Sequence, residues 1–149
     1  MQLAAQSDYP VTGKDVPWKP FSFYEGFEYK MLAVDVERRT VEMILKFEPD
    51  CVCFYRRHLG PVASIVLAGE HHFFEVQPDG SRTKQIRTQG EFTMSQNPHA
   101  HIEGGGPEGG TIFFSLRCDQ DDIYDIMDND FNVIHEVTVQ DFKAALDEW

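Results

Sequence analysis

Little in this chain could staple it together or hold it to a charged or greasy surface. Three cysteines stand among 149 residues, and no two form a Cys-x-x-Cys pair. That speaks against a disulfide framework and against a thioredoxin-like redox motif. No apolar run approaches the roughly eighteen residues of a membrane helix. Cations are scarce: 13 Lys and Arg face 25 Asp and Glu, a formal charge of -12. Nucleic acid and anionic membrane surfaces need clustered Lys and Arg, so neither is an expected partner. A Gly-x-Ser-x-Gly nucleophile elbow is missing, which removes hydrolases of that type. The run Gly104-Gly105-Gly106-Pro107-Glu108-Gly109-Gly110 lacks the context of a phosphate loop and reads as a long flexible hairpin connection. Met1 to Asp8 has neither a basic start nor an apolar core. No signal peptide is expected there, and the chain reads as a cytoplasmic, reduced protein.

Long helical periodicity is also missing. In its place come short apolar runs at 29–36, 40–47, 51–58, 64–67, 71–76, 90–94, 99–102 and 111–116. Gly and Pro punctuate them, and Pro78-Asp79-Gly80 is a hairpin-turn signal. Val41, Met43, Leu45 and Phe47 alternate with Glu42, Ile44 and Lys46, the period of a half-buried strand. This pattern predicts an all-β sandwich or barrel of one domain over 1–149. Its core falls at about 27–117, after a Pro-bearing N-terminal arm at 1–26 and before an acidic segment and helix at 118–149. The acidic residues from Asp119 to Asp130 are expected on a solvated face. One helix is expected, over 139–149, with Thr138 as its cap and Asp141 as a capping-box partner. Val139, Phe142, Leu146 and Trp149 would dock it on the barrel.

Strand parity selects the candidate site. Within 51–58, Phe54, Arg56 and His58 share one face, while Cys51, Cys53, Tyr55 and Arg57 share the other. The two cysteines are therefore expected to pack rather than to join His58. His99, His101 and Glu103 share a face if extended. His71, Phe73 and Glu75 share another, opposite His72 and Phe74, so His71 and His72 cannot both point inward. A barrel interior receiving Arg56, His58, His71 or His72, Glu75, His99, His101 and Glu103 would be unusually polar, which points to a ligand site. Phe54, Phe73, Phe92 and Phe113 are candidate pocket walls. His135 stands alone, as a surface or core-edge residue.

Trp18-Lys19-Pro20-Phe21, the Pro49 turn, Arg57-His58-Leu59-Gly60-Pro61-Val62, the Val66-Leu67-Ala68-Gly69 turn and Phe74-Glu75 come in a familiar order. Over residues 15–117 the chain resembles single-domain cupins of the RmlC-like superfamily. The group includes 2,4'-dihydroxyacetophenone dioxygenase, acetylacetone-cleaving dioxygenase and the anti-sigma-factor cupin domain. The resemblance implies a double-stranded β-helix, or jelly-roll barrel, and a homodimer. It implies metal ligands at His58, Glu75 and His101, with Arg56 where a further histidine would stand. Arginine cannot ligate a cation. Two outcomes follow. In one, His58, Glu75 and His101 hold Fe(II), or Zn, Mn or Ni. Arg56 then orients the anion of a small diketone or hydroxyketone substrate for a dioxygenase-like reaction, with Phe54, His71, Phe73, His99 and Glu103 lining the pocket. In the other, an Arg56–Glu75 pair occupies the metal position, leaving a metal-free small-molecule-binding or regulatory cupin.

Overall fold

The computed structural model describes residues 16–21, 24–96 and 99–149. The described chain forms β1 (Lys19–Pro20), β2 (Phe27–Asp35), β3 (Thr40–Phe47), β4 (Tyr55–His58), β5 (Val62–Val76), β6 (Arg82–Thr88), β7 (Phe92–Ser95), β8 (His101–Arg117), β9 (Asp122–Met127), β10 (Val133–Thr138) and α1 (Val139–Asp147). The all-β reading holds, with a single short helix among the described residues, near the C-terminus. Of the expected arm, Lys19 and Pro20 pair with Tyr29 and Glu28 of β2. Residues 1–15, 22–23 and the Asn97-Pro98 turn lie outside the described residues.

The longest strand, β8, organises the sheet. Its first part pairs β4 at Arg56 and His101, and its second part pairs β3 from Phe47–Gly110 to Thr40–Arg117. Along its other edge it runs antiparallel to β5, from Val62–Leu116 to Glu75–His101. Beyond these, β6 and β7 add to β5, and β9 and β10 add to β4. All of these pairings are antiparallel, and the sheet curls into a half-barrel.

The interior divides by composition. Met31, Val41, Leu45, Phe47, Ile112 and Leu116 fill one half, and α1 closes that half with Val139 and Phe142. Thr138 caps the helix, and both bonds of the capping box with Asp141 are present. In the other half β4, β5 and the start of β8 turn histidines, Arg56 and Glu103 inward.

Two expectations are corrected, and one strand is added. The glycine run is not a flexible hairpin connection but the middle of β8. Its glycines are there because backbones touch: a Cβ on Gly104 would lie 2.2 Å from the Cys51 carbonyl oxygen, and one on Gly110 would lie 2.1 Å from that of Glu70. Residues 82–88, which carried no apolar signal, form β6 as the return of the Pro78-Asp79-Gly80 hairpin. The acidic stretch is not simply a solvated face. It contains β9, where Ile123, Tyr124, Asp125, Ile126 and Met127 are all buried. Arg57 Nη2 bonds Asp125 Oδ2 at 2.7 Å, so the buried carboxylate has a cationic partner.

Gly104→Ala should lower stability by about 1–3 kcal/mol, because the added methyl meets a backbone carbonyl that cannot step aside. A urea titration reads this as a lower midpoint at unchanged slope. An unchanged midpoint would mean that β8 and the Cys51 turn are not in contact.

Candidate metal centre and ligand cavity

Each functional side chain is placed by strand alternation. On β4, Arg56 and His58 point inward at 4% and 7% exposure. On β5, His71 is fully buried, while its neighbour His72 points outward and bonds Glu70 Oε2 at 2.6 Å. On β8, His101 and Glu103 point inward at 2% and 1% exposure. The β4–β8 and β5–β8 registers set Arg56 and Glu75 beside His101.

Glu103 is the hub of this cluster. Its Oε1 accepts from His71 Nε2 at 2.9 Å, and its Oε2 ion-pairs with the Arg56 guanidinium. His101 Nε2 lies 3.9 Å from the same Oε2. The rings of His58 and His101 stack at 4.9 Å, and Tyr124 meets His58 edge-on at 5.6 Å.

Electrostatics keep the histidines neutral. Burial holds His58 well below the ordinary histidine value, helped by His101 and Arg56. Burial, with Arg87 and Arg56, does the same to His71. Burial and the Arg56 charge push His101 down to about 3. Desolvation disfavours each imidazolium, and the guanidinium repels it. Burial likewise keeps the Tyr124 phenol protonated.

His58, His101 and Glu103 each offer a ligand atom, and these atoms all lie within 4.8 Å of one another. The donor set fits a divalent cation. His101 Nδ1 lies 3.3 Å from the His99 carbonyl, which can only accept, so Nδ1 carries the proton and Nε2 presents its lone pair. That outer bond is the usual way a ligating imidazole is oriented. His101 Nε2 and His58 Nδ1 are buried without a hydrogen-bond partner among the described residues. Two neutral imidazoles and a carboxylate are a known ligand class for Fe(II), and Zn accepts the same donors. The Arg56 contact on Oε2 is what a metal would have to displace.

Beside the cluster is a cavity of about 30 Å³, lined by His58, Phe73, Glu75, Arg87, His101 and Phe114, among others. His99 and the hydroxyls of Ser64, Thr93 and Ser95 complete its wall.

No family model matches the chain, and no curated protein matches it at a significant level. Solved structures do. An RmlC-like cupin protein from Ralstonia eutropha JMP134 superposes with a TM-score of 0.75 at 15% identity, covering 93% of this chain and 84% of its own. An acetylacetone dioxygenase from Acinetobacter johnsonii gives 0.71 at 12% identity, covering 99% and 95%. A candidate acetylacetone dioxygenase from Methylibium petroleiphilum PM1 gives 0.74 at 17%, covering 98% and 99%. The chain has the cupin fold. At these identities the likeness is one of fold, and the chemistry has to be argued from the site itself.

The structure brings together Arg56, His58, His71, His101 and Glu103, and places Phe73, Glu75 and His99 around the adjoining cavity. The expected Arg56–Glu75 pair is corrected to Arg56–Glu103. Glu75 is instead turned toward the rim, accepting from Gln77 at 3.1 Å and lying 3.4 Å from His99 Nδ1. The cluster's carboxylate is Glu103, two residues beyond His101 on the same strand face. Phe54 is not a cavity wall. It packs among Phe21, Tyr24 and Phe27, with Arg56 5.7 Å above its ring. Phe92 is 65% exposed, and Phe113 points away from the cavity while Phe114 lines it. The cysteines are free and none joins the His58–His101–Glu103 group, although the Cys53 N–H donates to the Glu103 carbonyl at 2.8 Å. Sequence reasoning missed Arg87 altogether, because it sits on the unforeseen β6. No alternation within 82–88 marks it: Thr83, Gln85 and Arg87 are all polar, and Ile86, the one apolar residue, is exposed.

The buried histidines dictate an acid response. Unfolded histidine titrates near 6.5, whereas these stay neutral in the fold. As pH falls below that value the unfolded chain binds protons first, so stability is full above about 6.5 and drains away toward about 3. Urea unfolding of chelator-treated protein from pH 7 to 4 should show a steady loss, and His101→Asn should flatten it. A flat profile in the native protein would contradict the buried, neutral histidines.

Proposed function

We propose that His58, His101 and Glu103 form a divalent-metal centre, and that the protein is a cupin-fold, dioxygenase-like enzyme. Its substrate class is a small oxygenated carbon compound of the diketone or hydroxyketone type. The observation that carries this reading is the pair of buried, partnerless imidazole nitrogens, His58 Nδ1 and His101 Nε2, beside the Glu103 carboxylate. Leaving such groups unsatisfied in a core costs about 1–3 kcal/mol each. A site that keeps them is arranged to receive a cation or a donor.

Bound Fe(II) at two imidazoles and one carboxylate supplies open coordination positions and one-electron chemistry with oxygen. The rest of the task falls to the protein. His71 donates Nε2–H to Glu103 and fixes the orientation of the carboxylate. The His99 carbonyl holds the His101 tautomer. Phe73 and Phe114 keep bulk water from the cavity wall. Once displaced from Oε2, Arg56 would retain its charge beside the site, where an enolate would be stabilised.

A second reading has its own observation. The Arg56 guanidinium already satisfies Glu103, so the cluster is neutral without a metal. On this reading the protein is a metal-free ligand-binding cupin.

Metal analysis after anaerobic Fe(II) loading separates the two. The enzyme reading predicts about one metal per chain, and Arg56→His should tighten it by adding a ligand and removing a charge. No uptake in either protein would leave the metal-free reading standing. Arg56→Leu should meanwhile lose about 3–5 kcal/mol of stability in the metal-free protein, since it strands Glu103 as a buried charge.

A further inference from the structure

The Arg56 guanidinium is paired with Glu103 and almost fully buried, and it is not among the residues that line the cavity, whereas Arg87 is. The register of the β5–β6 hairpin sets Arg87 opposite His71, whose side chain points inward, and cross-strand partners share a face. Arg87 lines the cavity. Its guanidinium lies 4.4 Å from the ring centroid of Phe73, and Phe73 stacks on His101 at 4.7 Å. A continuous stack therefore runs from Arg87 through Phe73 and His101 to His58. It holds the cation against the wall of the same cavity that His58, His101 and Glu103 line.

Arg87 is half-buried, and its Nη2 donates to Gln85 Oε1 at 3.0 Å. It has no ion pair with a carboxylate among the described residues, and Glu91 and Glu75 act on it at longer range. Glu75 shares the cavity but spends its Oε1 on Gln77 and His99. A half-buried guanidinium facing a small cavity without an ion pair is placed to receive an anion, and its planar fork matches a carboxylate. The cavity of about 30 Å³ holds roughly two water-sized groups. A carboxylate head fits that space, with the rest of the ligand extending past the partly exposed His99.

We propose that Arg87 is the ligand-recognising cation of this cavity, and that the compound the site takes bears a carboxylate rather than being a neutral diketone. The inference rests on the reading of this cavity as the ligand site, and it refines the substrate class proposed above. It does not require the metal.

Acetoacetate and acetylacetone test it, being nearly equal in size and differing in charge. Calorimetric titration of metal-stripped protein should find acetoacetate the tighter ligand. Arg87→Gln should weaken acetoacetate at least tenfold and leave acetylacetone unchanged, and Arg87→Lys should fall between. Thermal unfolding of each variant verifies that the fold is intact. The proposal is overturned if acetylacetone binds native protein as tightly as acetoacetate, if acetoacetate affinity survives Arg87→Gln, or if neither probe binds. Its fate is separable from that of the metal centre. Arg87-dependent acetoacetate binding without metal uptake keeps Arg87 and retires the enzyme reading. Stoichiometric metal with a preference for the neutral diketone does the reverse.

Discussion

A guanidinium inside a barrel is the constraint on which the polar half of this molecule depends. An arginine side chain is a cation, so the interior must neutralise it or not fold around it. Glu103 does so, and His71 holds the far oxygen of that carboxylate. Phe54, Phe114 and Tyr124 surround the guanidinium at 5.7 to 5.9 Å, an aromatic lining that favours a cation. Burial chiefly, with that positive charge adding to it, keeps His58, His71 and His101 neutral, and neutral imidazoles are the form that can offer a lone pair.

The division of the barrel follows from how β8 is shared. Its second part lies between β3 and β5 and contributes Ile112, Phe114 and Leu116 to an apolar core that the helix seals. Its first part lies between β4 and β5 and contributes His101 and Glu103 to the site. The glycines between the two parts let the strand pass close to the Cys51 turn and to Glu70. Apolar packing is concentrated in one half and the polar cluster in the other, and one continuous strand couples them. The stack from Arg87 to His58 extends that coupling outward to the hairpin that walls the cavity.

Much of this was legible in the sequence, for physical reasons. The alternation in 40–47 predicted β3 residue for residue, because one face of that strand is buried and the other is not. Thr138 and Asp141 predicted the helix start, because capping is local chemistry. The strand expected over 51–58 is shorter, beginning only at Tyr55, so parity holds for Arg56 and His58 but does not reach Cys51 and Cys53. What failed was whatever depends on a partner. β6 is mostly polar and exposed, and it is a strand because β5 pairs with it, not because of its own apolar pattern. The glycine run looked like a loop because a close backbone approach leaves the same composition as a flexible one. The buried residues of β9 hid within an acidic stretch whose charges lie on both sides of it.

The candidate site shows where the boundary falls. The sequence by itself determined that Arg56 and His58 share a strand face, that His101 and Glu103 share another, and that one of His71 and His72 must point inward. These are consequences of a two-residue side-chain period, which needs no knowledge of neighbours. Only the tertiary structure decided that Glu103 rather than Glu75 pairs with Arg56, that His71 is the inward histidine, and that Arg87 joins them. Those facts depend on the register between strands distant in the chain, and one residue of slippage would reverse them.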